Sequence, residues 1–253
     1  MKITFLGTGT SGGVPMIGCH CEVCRSTDPH DKRLRTSVLI EEQGKVLVVD
    51  TGPDFRQQML NADVGHLDAV LFTHEHRDHT AGLDEVRAFN FLQRKPMDVF
   101  ATPQVQDNLR KSFAYIFANW SYPGIPKLEM HLIGKTPFTV HGIKVVPVEV
   151  THYKLPVTCF RIGDFSYITD ANAIAPQELK KLEGTKILVL NALRKEQHIS
   201  HFTLEEAITL SREINPEQTY FTHISHQMGL HRTVEKELPP NMHLAYDGLQ
   251  LEL

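Results

Sequence analysis

Runs in which nearly every position is apolar recur along this chain, among them "KVLVVD", "DAVLFTH" and "KILVLN". A strand with one wet face alternates apolar and polar residues. Uninterrupted apolar runs of this length therefore predict strands covered on both faces. On that pattern strands are predicted at 2–6, 37–41, 45–50, 69–73, 99–102, 144–150, 157–162, 165–169, 187–191, 218–222 and 249–253. Helical stretches fall between them. One at 54–61 follows a Gly-Pro, one at 83–93 follows a histidine-rich loop, and one at 104–118 follows a proline suited to a helix start. A fourth, 203–214, opens with Thr203-Leu-Glu-Glu206, a capping box that satisfies two orphan backbone donors. Shorter helices are predicted at 175–182 and 232–238. The stretch 119–135, "NWSYPGIPKLEMHLIGK", is broken by proline and glycine and reads as a loop beside a cleft. No linker, low-complexity segment or internal repeat divides the chain. Residues 1–253 are therefore expected to form one domain, a layered α/β sandwich.

Composition narrows the partners. Hydrophobic residues make up 41% and charged residues 22% of 253, ordinary for a globular enzyme. The net charge of −4 carries no basic footprint of the kind an extended nucleic-acid surface requires. No apolar run is long enough to span a bilayer, so no membrane partner is expected. The opening "MKITFLGTGTSGG" turns at glycine too soon for a signal-peptide core, and a cytoplasmic location is expected. Four cysteines in a reducing compartment point to metal or core roles rather than a disulfide framework.

The fifteen histidines matter through their grouping. His74, His76, Asp78 and His79 fall within six positions, between a buried strand and a helix. Loops at strand ends are where α/β proteins carry chemistry, and imidazole and carboxylate both ligate zinc, iron or manganese. Two pairs of ligands in so short a turn suggest a two-metal centre. His74-x-His76-x-Asp78-His79 resembles the HxHxDH signature of the metallo-β-lactamase superfamily. "FLGTGTSGG" and "VVDTGPD" resemble its opening strand and its early Asp motif. The resemblance extends over nearly the whole chain. It implies a four-layer αββα sandwich with a two-metal hydrolase site between its sheets. It also implies further ligands: His152 ending "VVPVEVTH", Asp170 in "FSYITDAN" as the carboxylate shared by both metals, and His223 in "YFTHISH". One metal would then take His74, His76, His152 and Asp170. The other would take Asp78, His79, Asp170 and His223, with Asp50 buttressing the histidine loop.

"GCHCEVC" places Cys19, Cys21 and Cys24 within six residues, one ligand short of a closed tetrahedral site. Cys159 lies in an apolar strand and reads as a core residue. His226 is the better fourth ligand, giving a Cys₃His structural zinc site; a Cys19–Cys24 disulfide and a redox role are the alternatives. This combination resembles the PhnP-type phosphodiesterases of the carbon–phosphorus lyase pathway, which pair HxHxDH with a C-x-C-x-x-C knuckle completed by a histidine. That resemblance implies two catalytic divalent metals, zinc or manganese, and one structural zinc. It implies hydrolysis of a small phosphodiester, a cyclic ribose or nucleotide phosphate, by a hydroxide bridging the metals. His201, 22 positions before His223, would be the general acid beside Asp170 and Asp78. A homodimer is compatible with the family, though the sequence marks no interface. The rival readings are a tRNA 3′-processing ribonuclease and a PqqB-like cofactor-biosynthesis protein of the same superfamily.

Overall fold

A computed structural model describes residues 1–118 and 122–253. Two sheets face each other. The first is built from β1 (Lys2–Gly7), β2 (Ser37–Glu42), β3 (Lys45–Val49), β4 (Ala69–Leu71), β5 (Met97–Ala101) and β6 (Leu128–Leu132). The second takes β7 (Phe138–Val140), β8 (Ile143–His152), β9 (Leu155–Ile162), β10 (Phe165–Ile168), β11 (Ala173–Ile174), β12 (Ile187–Asn191), β13 (Gln218–Thr222) and β14 (Met242–Leu244). A last strand, β15 (Gln250–Glu252), returns to the first sheet, whose order is β15-β1-β2-β3-β4-β5-β6. The second runs β11-β8-β9-β10-β12-β13-β14, with β7 paired to β8.

Three apolar clusters show why the strands read as they do. Between the sheets lie Ile3, Phe5, Val38, Ile40 and Leu47 against Phe160, Phe165, Tyr167 and Val189. On the outer face of the first sheet, Leu39, Val46 and Val48 pack on Phe55, Met59 and Val86 from the helical layer. On the outer face of the second, Cys159, Ile168, Leu188 and Leu190 pack on Leu204, Ala207 and Ile208. Neighbours such as Val38 and Leu39 point to opposite clusters, as the two-residue period of a strand requires. Both faces of each sheet are therefore covered, and the four-layer αββα sandwich is the architecture.

The predicted capping box is present: Thr203 Oγ1 accepts from Glu206 N at 3.2 Å, and Thr203 N donates to the Glu206 carboxylate at 2.8 Å. Other boundaries moved. The helix expected at 83–93 is a 3₁₀ turn, Leu83–Val86, followed by an α-helix, Arg87–Gln93. That expected at 104–118 is Pro103–Ser112. The stretch 119–135 is not all loop: Leu128–Leu132 is an edge strand parallel to β5, while 119–121 lie outside the described residues. Among the described residues, no helix is long and apolar enough to cross a membrane.

Candidate metal centre

Strand β4 of the first sheet and strands β8, β10 and β13 of the second bring their C-terminal ends to one edge. His74 follows β4, His152 ends β8, Asp170 follows β10 and His223 follows β13. Three residues there adopt left-handed backbone: Asp50 at φ 65°, Asp170 at 53° and His223 at 56°. Asp and His enter this region more readily than bulky residues, and the sharp bend takes each residue out of its strand line. The histidine loop is also pinned by backbone bonds: Thr51 N donates to His79 O and Gly82 N to Thr51 O, both at 2.8 Å.

The predicted ligands converge. His74, His76 and His152 present ligand atoms to one another, as do His74, His79 and Asp170. His79 Nε2 lies 3.2 Å from Asp170 Oδ2 and 3.4 Å from Asp78 Oδ2, and His223 Nδ1 lies 3.3 Å from Asp170 Oδ2. Asp170 takes part in two of these three contacts, from two different strand ends, the position expected of a shared ligand.

Two observations test whether these residues fit metal. The first is the set of hydrogen bonds behind the imidazoles. His79 Nδ1 bonds Asp50 Oδ2 at 2.7 Å, His152 Nδ1 bonds Ser200 O at 2.8 Å, and His74 Nδ1 lies 2.9 Å from Thr73 Oγ1, which donates to Asp50. Each bond fixes a ring and turns its other nitrogen toward the cluster, the arrangement seen behind metal-ligating histidines. The second is a set of orphans. His79 Nε2, His223 Nδ1 and His201 Nδ1 are buried without a hydrogen-bond partner. A buried polar atom left unpaired is costly, and three aimed at one carboxylate make sense as ligands or substrate contacts. The donor set fits.

The electrostatics agree with that reading. Burial opposes the charges on Asp170 and Asp78, but His223 and His79 hold Asp170 well below the carboxylate range, and His79 does the same for Asp78. Burial, with His79 beside it, pushes His74 well below its ordinary value, and burial lowers His223. Metal binding needs ionised carboxylates and neutral imidazoles, and these groups are poised that way. His79 is the exception. Burial disfavours its charge, yet Asp170, Asp50 and Asp78 together raise it well above the imidazole range, so a cation is wanted where that ring stands.

His201 joins this cluster, grouped with His152 and Asp170. Its Nδ1 lies 4.0 Å from Asp170 Oδ1 and its ring 4.5 Å from that of His152. Burial, then the neighbouring His223, pushes it down to about 2. His198 stays half-buried, its Nδ1 accepting from Ser200 N at 3.3 Å.

Cys19, Cys21, Cys24 and His226 form a separate group. His226 Nδ1 lies 3.4 Å from Cys19 Sγ and 3.3 Å from Cys21 Sγ. Ligands about 2.1–2.3 Å from a tetrahedral zinc stand somewhat under 4 Å apart, so the four fit one ion. No disulfide joins them. Cys159 is elsewhere, wholly buried, with Thr169 N donating to its Sγ at 3.4 Å.

Sequence reasoning missed some of what lines the site. Ser200 orients His152 through a carbonyl that leaves no trace in residue type. Tyr153, Lys154 and Ile199 line the cleft beside His76 and His152. The only signal for Tyr153 is its place immediately after the candidate ligand His152.

Residues 45–224 match the family described as "Beta-lactamase superfamily domain". A solved structure described as a new diphosphatase from the PhnP family is 38% identical, with a TM-score of 0.93 over 100% of this chain and 97% of that one. The chain belongs to the beta-lactamase superfamily and, within it, to the PhnP family of metallo-hydrolases. An octanoyltransferase of Porphyromonas gingivalis is 42% identical over 253 residues, 99% of this chain but 51% of that protein. This chain thus spans about half the length of the curated relatives it matches. Zinc-bound PqqB from Methylobacterium extorquens, 20% identical over the whole of both chains, shares the fold at a TM-score of 0.80.

Proposed function

We propose that this protein is a two-metal hydrolase of small phosphodiesters, with a cyclic ribose phosphate or nucleoside cyclic phosphate as substrate. The observation that carries the reading is the convergence of buried, unpartnered imidazole nitrogens on Asp170. In this reading His74, His76, His152 and Asp170 hold one metal, and Asp78, His79, Asp170 and His223 the other. Zinc or manganese bound there supplies a water of lowered pKa and a clamp for phosphoryl oxygen.

The chain's own residues do the rest. Asp50 and Ser200 fix ring orientation, so the ligand geometry is set before substrate arrives. Asp170 keeps its negative charge between the two halves of the cluster. His201 stands on the rim beside Asp170 and delivers a proton from its ring to the departing alkoxide. The negative charge of a bound phosphoester raises the proton affinity of that imidazole from its low value in the free protein. The cysteine group takes a structural zinc, which has no open position for substrate. Reduced thiols suit a cytoplasmic setting.

The diphosphatase described for the PhnP-family neighbour supports a second substrate class, a phosphoanhydride, at the same site. The octanoyltransferase name belongs to a protein about twice as long, and the His and Asp groups able to hold metal here support the hydrolytic reading. The test is metal analysis with a panel of bis(p-nitrophenyl) phosphate, cyclic phosphates, nucleotide diesters, nucleoside diphosphates and tRNA precursors. Three metals per chain are expected, falling by one zinc in His226→Ala. His201→Ala should lose about 10²–10⁴-fold in turnover of the best diester. Two filled catalytic positions with no phosphoesterase activity would sink the reading.

A further inference from the structure

The hairpin that ends in His152 carries an anomaly. His152 pairs with Leu155, so only Tyr153 and Lys154 join β8 to β9. Tyr153 has φ 57°, in the left-handed region. Glycine and asparagine serve tight hairpin turns at positive φ, whereas a bulky residue rarely does. Folding does not account for the tyrosine, which is 51% exposed and belongs to none of the core clusters. Strain of this kind gathers at functional sites, where surrounding structure holds it in place.

The surroundings do hold it. Asn172 Oδ1 accepts from Tyr153 N at 2.7 Å, and Asn172 Nδ2 donates to Ile199 O at 3.4 Å. One side chain thus ties the hairpin to the loop that carries Ser200 and His201. Between them is a cleft of about 410 Å³, lined by Tyr153, Lys154, Leu155 and Ile199 together with the cluster residues His76 and His152. Ile199 is 66% exposed. Lys154 Nζ lies 5.2 Å from the centre of the Tyr153 ring, so one face of the ring is offered to a cation in the free protein. An exposed aromatic ring, an exposed aliphatic side chain and a cation, all beside the proposed reaction centre, fit a flat ring attached to a phosphate. A bare sugar phosphate would leave Tyr153 and Ile199 in water.

We propose that Tyr153 is a specificity-determining residue, which with Ile199 holds a nucleobase on the non-reacting side of the phosphoester while Lys154 turns to the substrate's negative charge. This rests on the phosphodiesterase reading above. It distinguishes base-bearing substrates from base-free ones, which that reading leaves equal.

The test uses the metal-loaded protein and a matched pair, adenosine 2′,3′-cyclic phosphate and methyl riboside 2,3-cyclic phosphate, which differ only in the base. Wild type should prefer the adenosine compound by about 10–100-fold in kcat/KM, expressed in KM, as base–aromatic stacking allows. Tyr153→Phe should keep that preference. Tyr153→Ala and Tyr153→Leu should bring it within about threefold of unity at wild-type metal content and Tm. A wild type without preference overturns the proposal, as does an Ala variant that retains it. A Leu variant that retains it overturns ring recognition in favour of a merely apolar wall. If neither compound is hydrolysed, the phosphodiesterase reading has failed separately. The Kd values of adenosine 5′-monophosphate and ribose 5-phosphate, measured by calorimetry on wild type and the same variants, then decide. The same ratios are expected, and equal Kd values in wild type overturn the proposal.

Discussion

Asp50 stands behind the cluster and spends both its oxygens on the histidine loop. Oδ1 accepts from Thr73 N at 2.9 Å, and Oδ2 contacts Thr73 Oγ1 and His79 Nδ1, each at 2.7 Å. Asp50→Asn would keep the shape, remove the charge and set an amide donor against the protonated face of His79 or Thr73. The expected result is a loss of about 10–100-fold in catalytic-metal affinity, read by competition with a chelating dye. Unchanged affinity would show that the loop holds itself. At this scale the sequence was informative where chemistry resides in residue type. His74, His76, Asp78 and His79 announce themselves by spacing, and the aspartate of "VVDTGPD" by its motif. Tyr153 did not, because its exposure and its positive φ follow from hairpin register rather than from identity.

Two glycines let the elements around the loop approach. A Cβ on Gly52 would run into the carbonyl oxygen of Asp78, and one on Gly82 into that of Gly52. Both obstacles are backbone, which cannot swing aside as a side chain does. Gly52→Ala should therefore displace the segment carrying Asp78 and His79, at a cost of about 1–3 kcal/mol in urea denaturation. The same protein should show reduced catalytic-metal content with the cysteine-site zinc retained, since His226 and the thiols lie in other segments. Full occupancy of both sites would contradict this. Apolar runs located the long strands because those are buried on both faces. "LEMHL" escaped because Leu128–Leu132 is an edge strand with one partner, β5, and its burial is only partial. Strands of two or three residues, such as Ala173–Ile174 and Met242–Leu244, exist through pairing and have no period of their own.

Across the whole molecule, Asp247 joins segments far apart in sequence. It accepts from Leu34 N at 2.6 Å and from Thr8 Oγ1 at 2.7 Å, close to the buried Arg33. Burial pushes its carboxyl up to about 6 from an ordinary 3.8, against those hydrogen bonds and the Arg33 charge. The native state then binds this proton more tightly than the unfolded chain does. Its contribution to stability is complete below pH 3.8 and is lost as pH rises to about 6. The shift of about two units corresponds to at most about 3 kcal/mol. Asp247→Asn should accordingly flatten the fall in stability between pH 4 and 6 relative to wild type, measured by urea denaturation across that range. Parallel curves for the two proteins would contradict the assignment.

By itself the sequence determined the long buried strands and main helices and, in the histidine loop, the candidate ligands His74, His76, Asp78 and His79; His152, Asp170 and His223 followed from the family resemblance. Apolar periodicity encodes which faces are covered, and metal-binding chemistry is written in side-chain type and local spacing. It also supplied His226 as the candidate completing the cysteine group, although 202 to 207 residues separate it from the three thiols. Tertiary structure alone decided which nitrogen of each ring faces the cluster, through partners such as Ser200 O that any residue can provide. It alone placed His201 against Asp170 and joined Tyr153 to Ile199 through Asn172. Those relations depend on where separate strand ends meet, and a linear pattern of hydrophobicity carries no term for the distance between them.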